Sequence, residues 1–395
     1  MNNTFFNYHL HSDYSLLDSA TQVREYIDFA AENGYKAISF SEHGKPLNWV
    51  SKKILAEEKG LKFAHSCEVY LTESIEREPV RDNYHTVLVA KNLEGARELN
   101  KLIALSSEPG HFYYTNRLTF DEFLNISDNI ISTSACVASP LNRLAPDHPR
   151  FMELARKYDY LEIQPHVHPK QKEFNARLYR LAREIGKPLI VGTDTHSLNQ
   201  YKAECRAVLM DCKGQSYDDD EFDLTWKSRD EILEMFDRQG VLPYNVYADA
   251  LENTNRMCDM IEPFELDVSI KYPILYGSPE KDMEVFGETV ERKFADKVKR
   301  GVIPEDQVPA FRKSIDEEMA VFKKLGMGAF MLSMSELISW CKDNDIAIGT
   351  ARGSVGGSRV AYVADIIDLN PETWHTVFSR FANEDRIEIG CQSAA

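Results

Sequence analysis

The sequence predicts an α/β protein: a distorted (βα)7 barrel over the first 200 residues, followed by a mostly helical region. Three observations lead there. From Phe5 to about Ser197, short apolar runs alternate with amphipathic helical segments. Most of the apolar runs end in a histidine or a carboxylate, as a shared site at one mouth of a barrel requires. After about residue 200 the alternation stops and longer helical patterns replace it.

The expected strands are Phe5–His11, Ala37–Glu42, Lys62–Leu71, Thr86–Ala90, Asn129–Ser134, Tyr160–Gln164 and Pro188–Gly192. Helices are expected between them at Val23–Glu32, Leu47–Glu58, Leu93–Leu105, Phe151–Lys157 and Lys172–Ile185. Gly34, Gly60 and Gly186 stand where helix C-caps fall. Beyond the barrel, residues 200–213 and 228–260 read as helices on either side of an acidic loop, Tyr217–Glu221. A Pro- and Tyr-rich connector, Pro263–Pro279, leads to helices at about 283–299 and 306–325, then to a helix–strand–Gly-rich segment at 329–370. Boundaries near 200 and 275 divide the chain into regions 1–200, 201–275 and 276–390.

Composition narrows the function. In 395 residues, 46 basic side chains face 63 acidic ones, for a formal charge of −17. That balance argues against a protein that coats nucleic acid nonspecifically, although a local basic stripe could still bind DNA. The seven cysteines form no CxxC pair, which excludes a zinc ribbon or disulfide framework and fits reduced thiols in the cytoplasm. No window is apolar enough for a membrane span, and the start has no basic, apolar leader pattern.

Ten potential metal ligands run along the first half: His9, His11, Asp18, His43, Glu68, His85, Cys136, His166, Asp194 and His196. His9 and His11 are two residues apart on an extended run, so their side chains share a face; Asp194 and His196 repeat that spacing. His85 is the exception in order, because it precedes its apolar run. Spacing alone does not separate His166 from His168. Singly, Glu68 fits a surface carboxylate, Cys136 a small buried hydrophobe and Asp194 a helix cap. Recurrence at successive strand ends is what favours a shared site. Imidazoles with bridging carboxylates suit several divalent cations held close together. Such cations acidify bound water and neutralise a phosphodiester, so metal-assisted phosphoester hydrolysis is the expected chemistry.

The ordered motifs HLHSDYSLLDSA, SFSEHG, CEVY, YHTVLVAK, STSACVAS, EIQPHVHP and TDTH resemble the polymerase-and-histidinol-phosphatase (PHP) domain that begins bacterial DNA polymerase III alpha subunits. The resemblance covers residues 1 to about 200. It implies that the ten residues ligate three metal ions, zinc or manganese, and it selects His166, two residues after the Ile-Gln pair. It also implies a 3′–5′ exonuclease or phosphoesterase acting on DNA. Two alternatives are a metal-stabilised scaffold without catalysis, docking proofreading or clamp partners, and a stand-alone small-molecule phosphatase.

A second signature is IGTARGSVGGSRVAYVADIIDLN, at Ile348–Asn370. A Gly/Ser loop lets backbone N–H groups approach a phosphate, and Arg352 with Arg359 can neutralise it. With the preceding helical stretch from Glu317, it resembles the polymerase III alpha thumb-to-palm segment. There, residues corresponding to Arg352, Gly353, Ser354, Gly357 and Ser358 help bind the incoming deoxynucleoside triphosphate. Ala351 and Thr350 stand where the family has glycine and, commonly, proline. The aspartate-bearing palm strand expected after Ile389 is replaced by Gly390–Ala395, so a magnesium-dependent polymerase site is expected only with a further chain. A fragment or interrupted gene is the first expectation for that ending, ahead of a split gene or an intein starting at Cys391.

Overall fold

The computed structural model describes residues 4–75, 80–212, 214, 222–267 and 271–382. The chain divides into two compact units, Met1–Leu266 and Asp267–Ala395. In the first unit the elements run α1 (Val23–Glu32), β1 (Ala37–Phe40), α2 (Trp49–Glu58), β2 (Lys62–Thr72), β3 (Tyr84–Ala90), α3 (Leu93–Ser106) and β4 (Leu118–Thr119). They continue with α4 (Phe120–Leu124), β5 (Ile130–Thr133), α5 (Pro140–Arg143), α6 (Phe151–Lys157), β6 (Leu161–Ile163) and α7 (Pro169–Ile185). β7 (Leu189–Val191), α8 (Gln200–Cys212), α9 (Arg229–Gln239) and α10 (Tyr244–Asp259) complete it.

The sheet is mixed. β1 and β2 pair in parallel, β3 is antiparallel to both β2 and β5, β4 pairs with β2, and β6 and β7 form a parallel pair. Further backbone links join these pieces. Thr133 bridges Tyr160 between β5 and β6, and Leu10 bridges Thr195 beyond β7. Ser41 N donates to Leu10 O at 2.9 Å, beside β1.

Side-chain alternation sorts the two faces of this sheet. One face carries Phe63, Cys67, Val69, Leu88, Leu161 and Leu189 into the main core, beneath the helices. The opposite face carries Tyr8, Ala64, Val87, Val89, Ile131 and Ile190, closed at one end by Met257 and Ile261. Glu68, four residues beyond Ala64, and Asp194, four beyond Ile190, continue that second face, and His85 stands on it two residues before Val87.

Most expected elements form, and the departures have local causes. The expected first strand, Phe5–His11, is extended backbone with a single bridge at Leu10, because its links to Thr195 and Ser41 are too few for a ladder. The helix expected over 228–260 is two helices. Gly240 ends α9 in the left-handed region (φ 65°), and Pro243 precedes α10. The short β4, α4 and α5 had no expectation. The acidic loop Tyr217–Glu221 lies outside the described residues. Phe236, Tyr247 and Leu251 belong to the same core as the sheet, so the packing has no break near residue 200, and the separate region expected at 201–275 is not a unit of its own.

The second unit contains α11 (Pro279–Lys299), α12 (Val308–Lys324), α13 (Gly328–Asp343) and α14 (Arg359–Val363) around Phe286, Phe311, Ile315, Phe322, Met331 and Val360. The strand expected between α13 and the glycine-rich loop does not form. Asp345 turns the chain at φ 54°, and the described residues of this unit contain no other strand to pair with. Among the described residues, no helix is long and apolar enough to cross a membrane.

Candidate metal centre

Strand direction explains how donors scattered over 190 residues converge. β2 and β5 run the same way and β3 runs against them, so the start of β3 lies beside the end of β2. His85 therefore pairs across from Tyr70 and lies on the same face of the sheet as Glu68, although it precedes its own apolar run. Glu68 and Tyr70 continue the inner face begun by Ala64, and Asp194 and His196 continue the one begun by Ile190. Three non-glycine residues in the left-handed region adjust the chain beside the ligands: Leu17 (φ 65°), Ala135 (φ 54°) and Asp194 (φ 48°). Strained backbone of this kind concentrates at functional sites.

Eight of the ten expected ligands fall into three overlapping donor groups: His11, His43 and His196; His9, His11, Glu68 and Asp194; and Glu68, His85 and Cys136. Glu68 is the hinge. Its Oε2 lies 2.9 Å from His9 Nε2 and 3.7 Å from His11 Nε2. Its Oε1 lies 3.1 Å from His43 Nδ1 and 2.8 Å from His85 Nδ1. Asp194 Oδ1 lies 3.2 Å from His9 Nε2 and 3.3 Å from His11 Nε2. Asp18 joins the first group, with Oδ2 2.9 Å from His43 Nε2 and 3.4 Å from His196 Nε2. Cys136 Sγ is 3.6 Å from His85 Nδ1. His166 lies outside all three groups; it is buried, with both ring nitrogens unpartnered. His168 instead caps α7, its Nδ1 accepting from Lys170 N.

Residues behind the ligands set the imidazole tautomers. Glu162, fully buried on β6, takes His9 Nδ1–H at 2.7 Å and also accepts from Tyr8 Oη, Thr133 Oγ1 and Gln164 Nε2. Ser15 Oγ donates to Glu42, so it accepts from His11 Nδ1 at 3.0 Å. The Asp194 carbonyl takes His196 Nδ1–H at 2.7 Å. In all three rings Nε2 is thereby the nitrogen turned toward the donor groups. Lys52 balances Glu42, 2.6 Å away. Glu162 fits because residue 192 is glycine: a Cβ there would run into the Glu162 carboxylate. Gly192→Ala should therefore destabilise the protein by roughly 1–3 kcal/mol, the usual cost of overpacking, read as a lower melting temperature.

Electrostatics follow the same layout. Burial opposes charge on Glu68, but His85 and His43 hold its carboxyl well below the usual range; for Asp194, His9 does the same against burial. Burial lowers His43, yet Glu68 and Asp18 raise it to about 10. His11 is driven down by burial and by its neighbours His43 and His196. Burial pushes His166 to about 4. In this donor set His11 Nε2, His166 Nδ1 and Nε2, and Asp194 Oδ1 are buried without a hydrogen-bond partner. Buried polar atoms seldom go unsatisfied, and neutral imidazole and carboxylate are ligands for divalent metals, so the residues present fit metal ions.

A cavity of about 510 Å³ opens onto the cluster, lined by Asp18, His43, Glu68, His85, Cys136, Asp194 and His196 together with Leu16, Tyr70, Arg143, Arg206 and Phe222. Nothing in the residue order singles out Glu42, Arg143 or Arg206. For Glu162 a signal existed: a carboxylate between Leu161 and Ile163 in an apolar strand, where burial demands a partner.

The glycine-rich loop of the second unit is a 3₁₀ turn, Gly353–Gly357, with Arg352, Gly353 and Ser354 exposed. Gly357 and Ser358 are buried. A Cβ at Gly357 would run into Val377 O, and Ser358 caps α14 while its hydroxyl donates to Glu318 at 2.6 Å. Arg359 is spent on Glu372 and on the Gly357 and Thr376 carbonyls. Of the expected phosphate contacts, only Arg352, Gly353 and Ser354 are open to a ligand; the others hold the loop together.

Residues 7–177 match the family model of the PHP domain, and residues 284–390 match that of the bacterial DNA polymerase III alpha NTPase domain. DNA polymerase III subunit alpha of Borreliella burgdorferi is 29% identical over 412 residues, covering 98% of this chain and 34% of the relative. That of Aquifex aeolicus is 26% identical over 420 residues, covering 98% and 36%. The chain thus spans about a third of the length of the curated relatives it matches. A solved structure described as a metal-dependent phosphoesterase from Bifidobacterium adolescentis is 15% identical, with a TM-score of 0.36, over 59% of this chain and 96% of the other; at that score nothing further follows from it. The chain thus carries a PHP domain followed by a DNA polymerase III alpha region, and over 98% of its length it is similar to the N-terminal part of bacterial DNA polymerase III alpha subunits.

Proposed function

We propose that the first unit is a metal-dependent phosphoesterase that hydrolyses the 3′-terminal phosphodiester of DNA. The observation that carries this reading is the sharing of Glu68 between two donor groups, with a third group alongside. An imidazole nitrogen has one lone pair, so His11 Nε2 serves one cation only. With His11 assigned beside His9, Glu68 Oε2 and Asp194, the first group keeps His43 and His196 and draws on Asp18, while Glu68 Oε1, His85 and Cys136 complete the set. Three divalent cations, zinc or manganese, suit these donors, and the unpartnered ring nitrogens of His166, within the electrostatic reach of Asp194, support it as a tenth ligand. When bound, such ions supply Lewis acidity toward phosphate and a nucleophile from water at neutral pH. The protein's part is to aim Nε2 of His9, His11 and His196 through Glu162, Ser15 and the Asp194 carbonyl, and to keep the carboxylates ionised.

The links between Leu10, Thr195, Ser41, Thr133 and Tyr160 support a closed, distorted (βα)7 barrel with the cluster at one mouth. For the whole subunit the proposed setting is a cytoplasmic replicative polymerase. The second unit begins the palm, with Arg352, Gly353 and Ser354 toward a deoxynucleoside triphosphate. Magnesium, a sliding clamp and a proofreading subunit are the further partners proposed for the whole subunit.

The test is a 3′-labelled oligonucleotide assay with Mn²⁺ or Zn²⁺, alongside His9→Ala and Asp194→Asn. Both variants should lose activity by at least about 100-fold, as expected when a metal ligand is removed. Hydrolysis that survives both substitutions overturns the assignment. Full metal content without hydrolysis in the unaltered protein would assign the cluster a purely structural role.

A further inference from the structure

The loop between His11 and Ser19 presents two leucines to solvent beside a metal ligand: Leu16 is 69% and Leu17 53% exposed. Their placement is enforced. Asp13 N donates to Thr21 O, Ser15 N to Ser12 O and Asp18 N to Ser15 O, each at 2.8–2.9 Å. Ser19 Oγ donates to His196 O at 2.7 Å, and Arg206 holds Asp18 through Nε to the carbonyl and Nη2 to Oδ1. Leu17 sits at φ 65°, a conformation leucine adopts only when its surroundings impose it. Folding alone would favour a polar residue or glycine here.

Leu16 also lines the cavity with the neighbouring Tyr70 ring and two guanidiniums: Arg143, which gives one N–H to Asn83 O, and Arg206, which is paired with Asp18. A cationic group beside an apolar rim calls for a ligand that is anionic at one end and apolar at the other. A simple phosphate monoester leaves the leucines in water. A nucleic-acid end satisfies both, because every base has an apolar face that can cover exposed aliphatic surface.

We propose that Leu16 and Leu17 form a platform for the unpaired terminal nucleobase of a single-stranded DNA end, with Arg143 on its phosphates. This rests on the phosphoesterase reading of the site and specifies its substrate. A paired terminal base is stacked in its duplex and cannot lie on the platform, so frayed or mismatched ends are the preferred form.

Fluorescence anisotropy tests it, using a short oligodeoxynucleotide whose terminal linkage is a hydrolysis-resistant phosphorothioate, with Mn²⁺ present. The same oligonucleotide ending in an abasic residue is the comparison. The protein should bind the base-bearing end about tenfold more tightly, the scale of covering one leucine side chain. Leu16→Ser with Leu17→Asn, asparagine being at ease in the left-handed region, should abolish that preference while leaving abasic binding and bound metal unchanged. Equal affinity for the two ends in the unaltered protein, no binding of either, or a variant that weakens both equally overturns the proposal. A base preference without hydrolysis of an ordinary oligonucleotide sinks the phosphoesterase reading and leaves the platform standing; hydrolysis without a base preference does the reverse.

Discussion

Glu68→Gln is expected to cost more function than any other single substitution, with hydrolysis falling by about a thousandfold or more and less than the full complement of metal remaining after dialysis. The reason is geometric. Glu68 is fully buried and turns one oxygen toward His9, His11 and Asp194 and the other toward His43 and His85. An amide keeps one oxygen acceptor and replaces the other with an N–H donor, so it cannot serve both groups. It also removes the charge that offsets two cations at once. Metal ions commonly contribute several kcal/mol to the transition state, and each 1.36 kcal/mol is tenfold in rate. Cys136→Ala offers the internal comparison, since Cys136 belongs to a single group and its loss should leave the other two intact. Elemental analysis of dialysed protein and turnover of thymidine 5′-p-nitrophenyl phosphate measure both effects. Unchanged metal content in Glu68→Gln would show that the carboxylate does not bridge.

How far such a site is legible in a sequence depends on whether direction and depth leave a trace in residue order. The pairs His9/His11 and Asp194/His196 do leave one, because alternation along extended backbone is a local rule. His85 was recognisable as a donor but not as a neighbour of Glu68, since nothing in YHTVLVA says that its strand runs against those beside it. The break between α9 and α10 was written in Gly240 and Pro243, yet the apolar spacing on either side is continuous enough to read as one helix. Leu10 and its neighbours read as a strand by composition; the structure gives them a single bridge, because their partners Ser41 and Thr195 lie at the ends of other elements. Arg206 is different in kind. It reaches Asp18 from a helix 188 residues away, and its own surroundings on α8 are those of an ordinary surface arginine. Tertiary placement alone makes it part of the site. The same holds for Ser358, where the family resemblance pointed to phosphate and the packing gives the hydroxyl to Glu318.

Metal binding should strengthen with pH, and the stabilisation it confers should widen with it. Without metal, the buried carboxylates are balanced by protonated histidine: His43 is raised to about 10 despite its burial, chiefly by Glu68, and His9 is raised well above its ordinary value despite its own burial, by Glu162 and Asp194. A raised histidine stabilises the metal-free fold fully below the unfolded value near 6.5, and that contribution fades as pH climbs toward 10. Glu68 and Asp194, depressed in the fold, act in the opposite sense; their contribution is present above about 4 and is lost on acidification. For these groups the metal-free protein is therefore most stable between about pH 4.5 and 6.5. A bound cation needs the imidazole lone pairs, so it displaces those protons and has to compete with them. Above pH 6.5 the metal-free form loses stability with each pH unit, while the metal-bound form, with neutral imidazoles, has no such proton to lose. One displaced proton is worth tenfold in affinity per unit, which for a domain of this size is about 3–5 °C in melting temperature. Melting temperatures with Mn²⁺ and with chelator at pH 6, 7.5 and 9 should therefore draw apart, and isothermal titration in two buffers of different ionisation heat should show proton release. A gap that stays constant across that range would mean that the histidines facing Glu68 and Asp194 are neutral before the metal arrives.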